Sequence, residues 1–243
     1  MISTREIKNV KALSTKKYRD ETGLFVVEGE KMVAEALHSA FEIVRVWHRD
    51  EIGEEAMSRI SSLSTPSPVL AVLRQKQMPH PPYEKGLYLA LDAIRDPGNL
   101  GTILRIADWF GIRTVVASPD TVELYNPKVV QSTMGAIFRV SVHYTDLTAY
   151  ARQIRAAGGQ VYGTFLDGEN IYSRSLETGA TSPVVIVTGN ESNGISPALA
   201  AEVTGRLFIP PYPGGGLTSE SLNAAVATAV TVAEFRRRIW ESR

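Results

Sequence analysis

Two periodicities alternate along this chain, and they divide it in two. Residues 3–13 read as a helix, with Ser3 as its cap and Glu6 three residues on, a capping-box spacing. Strands at 24–28, 42–47 and 68–73 then alternate with helices at 31–39 and 54–61, the pattern of a small α/β/α domain. From Arg74 to Gly86 three prolines and the lack of apolar periodicity mark a linker. Beyond it the alternation restarts. Strands are expected at 86–94, 113–117, 139–143, 160–165, 184–188 and 206–209, and helices at 99–110, 127–134, 147–157, 197–203 and 219–240. Near-continuously apolar strands separated by helices predict a mostly parallel sheet with helices on both faces. The boundaries that follow are a domain over 1–78, a linker over 79–86 and a second domain over 87–243.

The last helix is unusual. From Ser221 to Ala233 it carries no charge and almost nothing larger than valine, so it is expected to be buried nearly all round. Ser219, Ser221 and Asn223 nevertheless cluster at its mouth, just after a Pro/Gly-rich loop. Polar groups there suggest a binding site more than a plain cap.

Composition narrows the classes. Apolar residues make up 44% and charged residues 21%, with 26 basic against 26 acidic side chains, so net charge says nothing about partners. No apolar run approaches the ~20 residues that cross a bilayer, and residues 1–22 do not resemble a secretory signal. A cytoplasmic location is expected. There is no cysteine, which excludes disulfides and thiolate catalysis, and the four histidines are too scattered for a metal site. The first 22 residues hold six basic side chains against three acidic ones, a patch that suits phosphate contacts or simply a solvated helix face.

In parallel α/β sheets, ligands bind beyond the carboxyl ends of strands. Three loops leave strands there with notable chemistry. In the first, Asp96-Pro97-Gly98 is turn chemistry and Asn99 is a reasonable helix cap. Arg105 follows on a mostly apolar helix, where it either snorkels to water or clamps a phosphate or carboxylate. The second loop runs Gly-Asn-Glu-Ser-Asn-Gly over 189–194, with Glu191 its only charge; Ser196-Pro197 reads as a cap and first helical residue. The third spans 210–221. None is a phosphate-cradling or dinucleotide fingerprint.

Taken together the three loops resemble the motifs of the SpoU (TrmH-like) branch of the SPOUT superfamily, S-adenosylmethionine-dependent RNA 2′-O-ribose methyltransferases. The resemblance rests on Asp-Pro-Gly-Asn-Leu-Gly-Thr-Ile-Leu-Arg (96–105), Gly-Asn-Glu-x-x-Gly (189–194), and Ile-Pro (209–210) followed by Ser-Leu-Asn (221–223). The first domain is similar to the family's substrate-binding domain through Lys16-Lys17-Tyr-Arg and Phe25-Val-Val-Glu-Gly29. The resemblance implies a C-terminal trefoil knot and a homodimer with the site near the subunit interface. It implies S-adenosyl-L-methionine held by Gly189, Ile209 and Leu222 with Thr164 and Leu166 nearby, and a polar catalytic set of Asn99, Arg105, Glu191, Ser221 and Asn223. Lys16, Lys17 and Arg19 are the implied RNA contacts, no metal is implied, and ribosomal RNA is favoured over transfer RNA. The chain departs from the family pattern at Tyr212, at the long glycine-rich stretch 213–218, at Ala224-Ala225 and at Ser192. The family role of Arg105 is that of a base. Since a guanidinium ordinarily keeps its proton, it serves equally as phosphate holder and oxyanion stabiliser. The competing readings are a catalytically inactive RNA-binding paralogue and a nucleotide-binding α/β enzyme with no RNA role.

Overall fold

Ser3 Oγ accepts from the Glu6 amide at 3.2 Å while Glu6 Oε2 accepts from the Ser3 amide at 2.8 Å. This capping box opens α1 (Thr4–Ala12) in a computed structural model that describes residues 2–212 and 219–241. There follow α2 (Lys16–Thr22), β1 (Leu24–Glu28), α3 (Glu30–Leu37), β2 (Ile43–His48), α4 (Arg49–Ile52), α5 (Glu54–Ile60) and β3 (Val69–Arg74). The three strands form an antiparallel sheet in the order β1-β3-β2. Ile7, Val10, Trp47, Met57, Ile60, Leu70 and Val72 build one buried cluster on it. Helix α2 was not foreseen, because Lys-Lys-Tyr-Arg-Asp-Glu-Thr carries no apolar stripe. Gly23, at φ +64°, ends it in the left-handed conformation that glycine adopts without strain.

The second half comprises β4 (Gly86–Leu91), α6 (Pro97–Trp109), β5 (Thr114–Ala117), α7 (Pro127–Ser132), a 3₁₀ turn (Ala136–Phe138), β6 (Ser141–Tyr144) and α8 (Leu147–Ala156). It continues with β7 (Gln160–Asn170), β8 (Pro183–Thr188), α9 (Pro197–Ala200), β9 (Gly205–Phe208) and α10 (Ala224–Glu241). Six strands pair in parallel in the order β6-β5-β4-β8-β7-β9. Tyr88, Ala90, Val116, Val161, Val185 and Val187 pack on one face with Tyr150 and Ile154 of α8 and Leu199 of α9. The alternating residues Leu89, Leu91 and Ile186 are buried as well, while α6 and α10 pack against each other and α10 against β8. The order reverses at β4 and β8, so the crevice beyond their carboxyl ends is the switch point where such sheets bind ligands.

The chain folds as two compact units, one of residues 1–77 with 123–139 and one of 78–122 with 140–243. Residues 123–139 lie in the stretch 87–243 that the sequence reading gave to the second domain. In the first unit they bring Tyr125 to 4.6 Å from the Phe25 ring and Phe138 to 5.5 Å from Phe41, centroid to centroid. The Tyr125 hydroxyl also accepts from the Lys76 amide at 2.9 Å.

Several element boundaries differ from expectation, and three of them have a clear local reason. Strand β4 stops at Leu91 because Ala93 takes φ +56° and turns the chain. Helix α10 starts at Ala224, not 219, because the Asn223 side chain accepts from the Ala225 and Val226 amides at 3.0 and 3.3 Å and so caps it. Strand β7 runs to Asn170 because it rejoins β9 after a bulge, with Thr164 and Glu169 both opposite Leu207. Nor is α10 buried all round: Val226 is 49% and Trp240 79% exposed.

Candidate functional site

The first loop places its asparagine by giving the capping role to another residue. Asp96, not Asn99, caps α6: its Oδ1 accepts from the Asn99 amide at 2.8 Å, and Pro97 takes the first turn. The Asn99 carboxamide is thereby left to bridge outward. Its Nδ2 donates to Glu191 Oε1 at 2.5 Å, and its Oδ1 accepts from Asn223 Nδ2 at 2.9 Å. One side chain thus joins the loops after β4, β8 and β9.

The second loop folds on itself. The Asn190 amide donates to Gly194 O at 3.0 Å and the Gly194 amide to Asn190 O at 2.9 Å, with Gly194 at φ +66°. Asn190 Oδ1 accepts from the amides of Ser192 and Asn193 at 2.9 and 3.1 Å. The chain crosses itself so closely that a Cβ on Gly189 would lie 2.3 Å from the Gly194 carbonyl carbon. Two residues just past β4 brace this loop. Asn190 Nδ2 donates to Ala93 O at 2.9 Å, and the Ser196 amide donates to the buried Asp92 carboxylate at 2.7 Å. Ala93 holds its left-handed conformation, which costs a non-glycine residue roughly 1–2 kcal/mol, with its own amide donating to Ser118 Oγ at 2.8 Å. Ser196 precedes α9 but forms no side-chain cap bond, unlike the sequence expectation; Pro197 is the first helical residue as anticipated.

The third loop delivers Ser221, Leu222 and Asn223, all exposed; residues 213–218 lie outside the described residues. Behind it Thr228 of α10 is buried and shares a 2.8 Å hydroxyl hydrogen bond with Thr188 at the end of β8. That bond ties the helix start to the second loop.

Three of the five catalytic residues named from the sequence, Asn99, Glu191 and Asn223, are therefore joined in one hydrogen-bonded chain. Arg105 and Ser221 are exposed, and neither side chain has a partner among the described residues. The expected cofactor residues stand at adjacent strand ends. Thr164 pairs with Leu207 and its hydroxyl donates to Val187 O at 3.3 Å; Gly189 directly follows β8 and Ile209 follows β9. Leu166 and Leu222 are apolar yet 68% and 49% exposed. Between Thr164 and Asp167 the Phe165 ring lies 3.5 Å beneath the Arg206 guanidinium, which also binds Asp167 at 2.5 Å and holds that carboxyl below the usual carboxylate range.

The expected RNA contacts fare differently. Lys17 is 87% exposed and 3.9 Å from Glu21, and Lys16 donates to Asp20 at 2.6 Å. Arg19 is only 2% exposed, its guanidinium bound to Glu123 and, at 2.7 Å, to Leu13 O. Its donors face inward, so it offers nothing to a phosphate. Sequence reading missed Asp92, Ala93, Ser118, Asn190, Thr188 and Thr228, whose roles depend on neighbours distant in the chain. The Asn beside Glu191 was the one visible signal.

Comparisons with known proteins show the family. Residues 86–233 match the SpoU rRNA methylase family, and residues 4–58 match an MRM3-like substrate binding domain. The chain is 33% identical to the 23S rRNA (guanosine(2553)-2′-O)-methyltransferase RlmP of Bacillus subtilis, over 96% of each chain. Among solved structures it is similar to an AdoMet-bound rRNA methyltransferase from Sinorhizobium meliloti, at 32% identity and TM-score 0.85 over 98% of this chain and 97% of that one. A TrmH-family protein from Porphyromonas gingivalis is 40% identical with TM-score 0.89, over 98% and 99% of the two chains.

Proposed function

The chain belongs to the SpoU rRNA methylase family, and we propose that it methylates ribose 2′-hydroxyls of RNA, ribosomal RNA being the substrate. S-adenosyl-L-methionine supplies a methyl group already activated on a sulfonium sulfur. The observation that carries this reading is the chain Asn223–Asn99–Glu191, which ties the three loops into one polar surface at the switch point of the sheet.

The residues present suit the cofactor. Gly189 and Ile209 offer main chain at the ends of β8 and β9, the two strands that flank β7. Leu166 and Leu222 keep apolar side chains in solvent, where an adenine ring would cover them. Thr164 lies at the same level of the sheet. The remaining work is positioning, which supplies several kcal/mol of a barrier and up to roughly 7–11 in favourable cases. Arg105 holds the RNA phosphate and steadies charge on the ribose oxygen, since a free guanidinium is a planar five-donor fork that keeps its proton. A phosphate oxygen or water takes the hydroxyl proton. Asn99, oriented by Glu191 and Asn223, binds the ribose, and Ser221 adds a hydroxyl beside Leu222.

The protein acts as a cytoplasmic homodimer. Val226, Val230, Ala233 and Trp240 fall within one stripe of α10, and Trp109 at the end of α6 is 86% exposed. A trefoil knot in the C-terminal part completes the family reading. The test is a map of ribose methylation across total RNA with and without the protein, alongside calorimetry with S-adenosylmethionine. One new protein-dependent methylated ribose in ribosomal RNA supports the reading. Cofactor binding without any RNA methylation, or RNA binding without cofactor binding, defeats it.

A further inference from the structure

The first unit carries an open cleft of about 530 Å³ that the family motifs do not touch. It lies between α3 and the 3₁₀ turn of 136–138, and its walls are unlike in character. Ala34 and Phe138 form an apolar side; Lys31, His38 and Arg139 line the rest. Arg139 donates to Glu35 at 2.6 Å and is anchored there with its side chain still 41% exposed. Lys31 is exposed and has no partner among the described residues. The His38 Nδ1 hydrogen is given to Ala34 O at 2.8 Å, which leaves Nε2 with no partner among the described residues. Among the described residues that line it, the cleft thus holds three basic side chains and one carboxylate, Glu35, which is already engaged. By contrast, Lys16 and Lys17 face acids within their own helix and Arg19 is buried.

We infer that this cleft takes one unpaired nucleotide of the RNA substrate, its base against Ala34 and Phe138 and its phosphate on Lys31 and Arg139. The inference rests on RNA being the substrate and names where the first unit grips it. An unpaired nucleotide fits better than a duplex backbone. A duplex keeps its bases paired and stacked and offers mainly phosphates and sugars, whereas an apolar wall beside basic side chains matches a splayed base with its phosphate.

The test uses the full chain and two variants, with a fluorescein-labelled RNA single strand of about 20 mixed-sequence nucleotides and the matching duplex as probes. Lys31→Ala removes one phosphate contact. It is expected to weaken single-strand binding several-fold and to reduce the slope of log Kd against log salt by about 1. Ala34→Trp fills the cleft from an exposed helical position without altering charge. It is expected to weaken single-strand binding about tenfold, the scale of one lost base-stacking contact, leaving the salt slope and duplex binding unchanged. Calorimetry with S-adenosylmethionine is expected to give the wild-type value for both. Wild-type single-strand affinity in Ala34→Trp overturns the inference, whatever Lys31→Ala does, and so does equal weakening toward the duplex. Failure of the methylation reading looks different: the unaltered protein then methylates no RNA.

Discussion

Asn99 Nδ2 meets Glu191 Oε1 at 2.5 Å across 92 positions of sequence, and the other end of the same carboxamide accepts from Asn223. A carboxamide can donate and accept at once, so Asn99 links the Glu191 carboxylate to the Asn223 side-chain amide. The carboxylate fixes which way round Asn99 lies, because an ionised Glu191 only accepts.

Removing that link is expected to cost chemistry far more than stability. Asn99→Ala should lower the single-turnover rate of methyl transfer about 100-fold, the scale of losing one preorganised polar contact, while shifting the urea midpoint little because the residue is partly exposed. Glu191→Ala should give a similar rate, and the double variant should be scarcely slower than either single one. Losses that multiply would show that the two side chains act independently.

Arg105→Lys keeps the charge but loses the planar fork. With no protein partner among the described residues to disturb, the variant should melt with the wild type. Its kcat should fall on the order of 100-fold. Near-normal turnover would discredit the bidentate clamp.

Gly189→Ala should damage the second loop specifically. Its Cβ would lie within 2.5 Å of three Gly194 and Ile195 main-chain atoms, none able to swing aside. Affinity for S-adenosylmethionine should fall at least about tenfold, since the loop must open to relieve a backbone clash. Gly158→Ala is the control. It places a side chain at φ +75° with nothing within 4 Å among the described residues, so it should lower stability by about 1 kcal/mol and leave cofactor binding intact.

Acid should loosen α10. Hydrogen bonds from Arg237 and Arg238 hold the Glu234 carboxyl below the usual carboxylate range. Arg238 also donates to Ile171 O at 2.7 Å, so the cluster fastens the helix to the segment after β7. A depressed folded pKa means stability fully present above the unfolded value of about 4.3 and lost as pH falls through the folded one. Glu234→Gln should therefore be less stable than wild type at pH 7, with the gap in urea midpoint closing below about pH 4. A gap that stays constant with pH would remove Glu234 from the acid response.

Local chemistry carried much of this protein. The capping box at Ser3, the strand 24–28, the left-handed Gly111 after α6 and the alternation of strands and helices beyond residue 86 all follow from neighbours a few residues apart. The three loops were legible for the same reason, since glycine, asparagine and proline mark sharp turns wherever they stand. Other features were settled by contacts 92 to 124 positions apart, which no periodicity encodes. Whether Asp96 or Asn99 caps α6 depended on Glu191 and Asn223 waiting for a carboxamide. Whether Arg19 faces RNA or the interior depended on Glu123, carried back into the first unit by the segment 123–139. A cap and a buried ion pair compete for the same side chains as a binding surface does, and only packing in three dimensions decides which partner arrives.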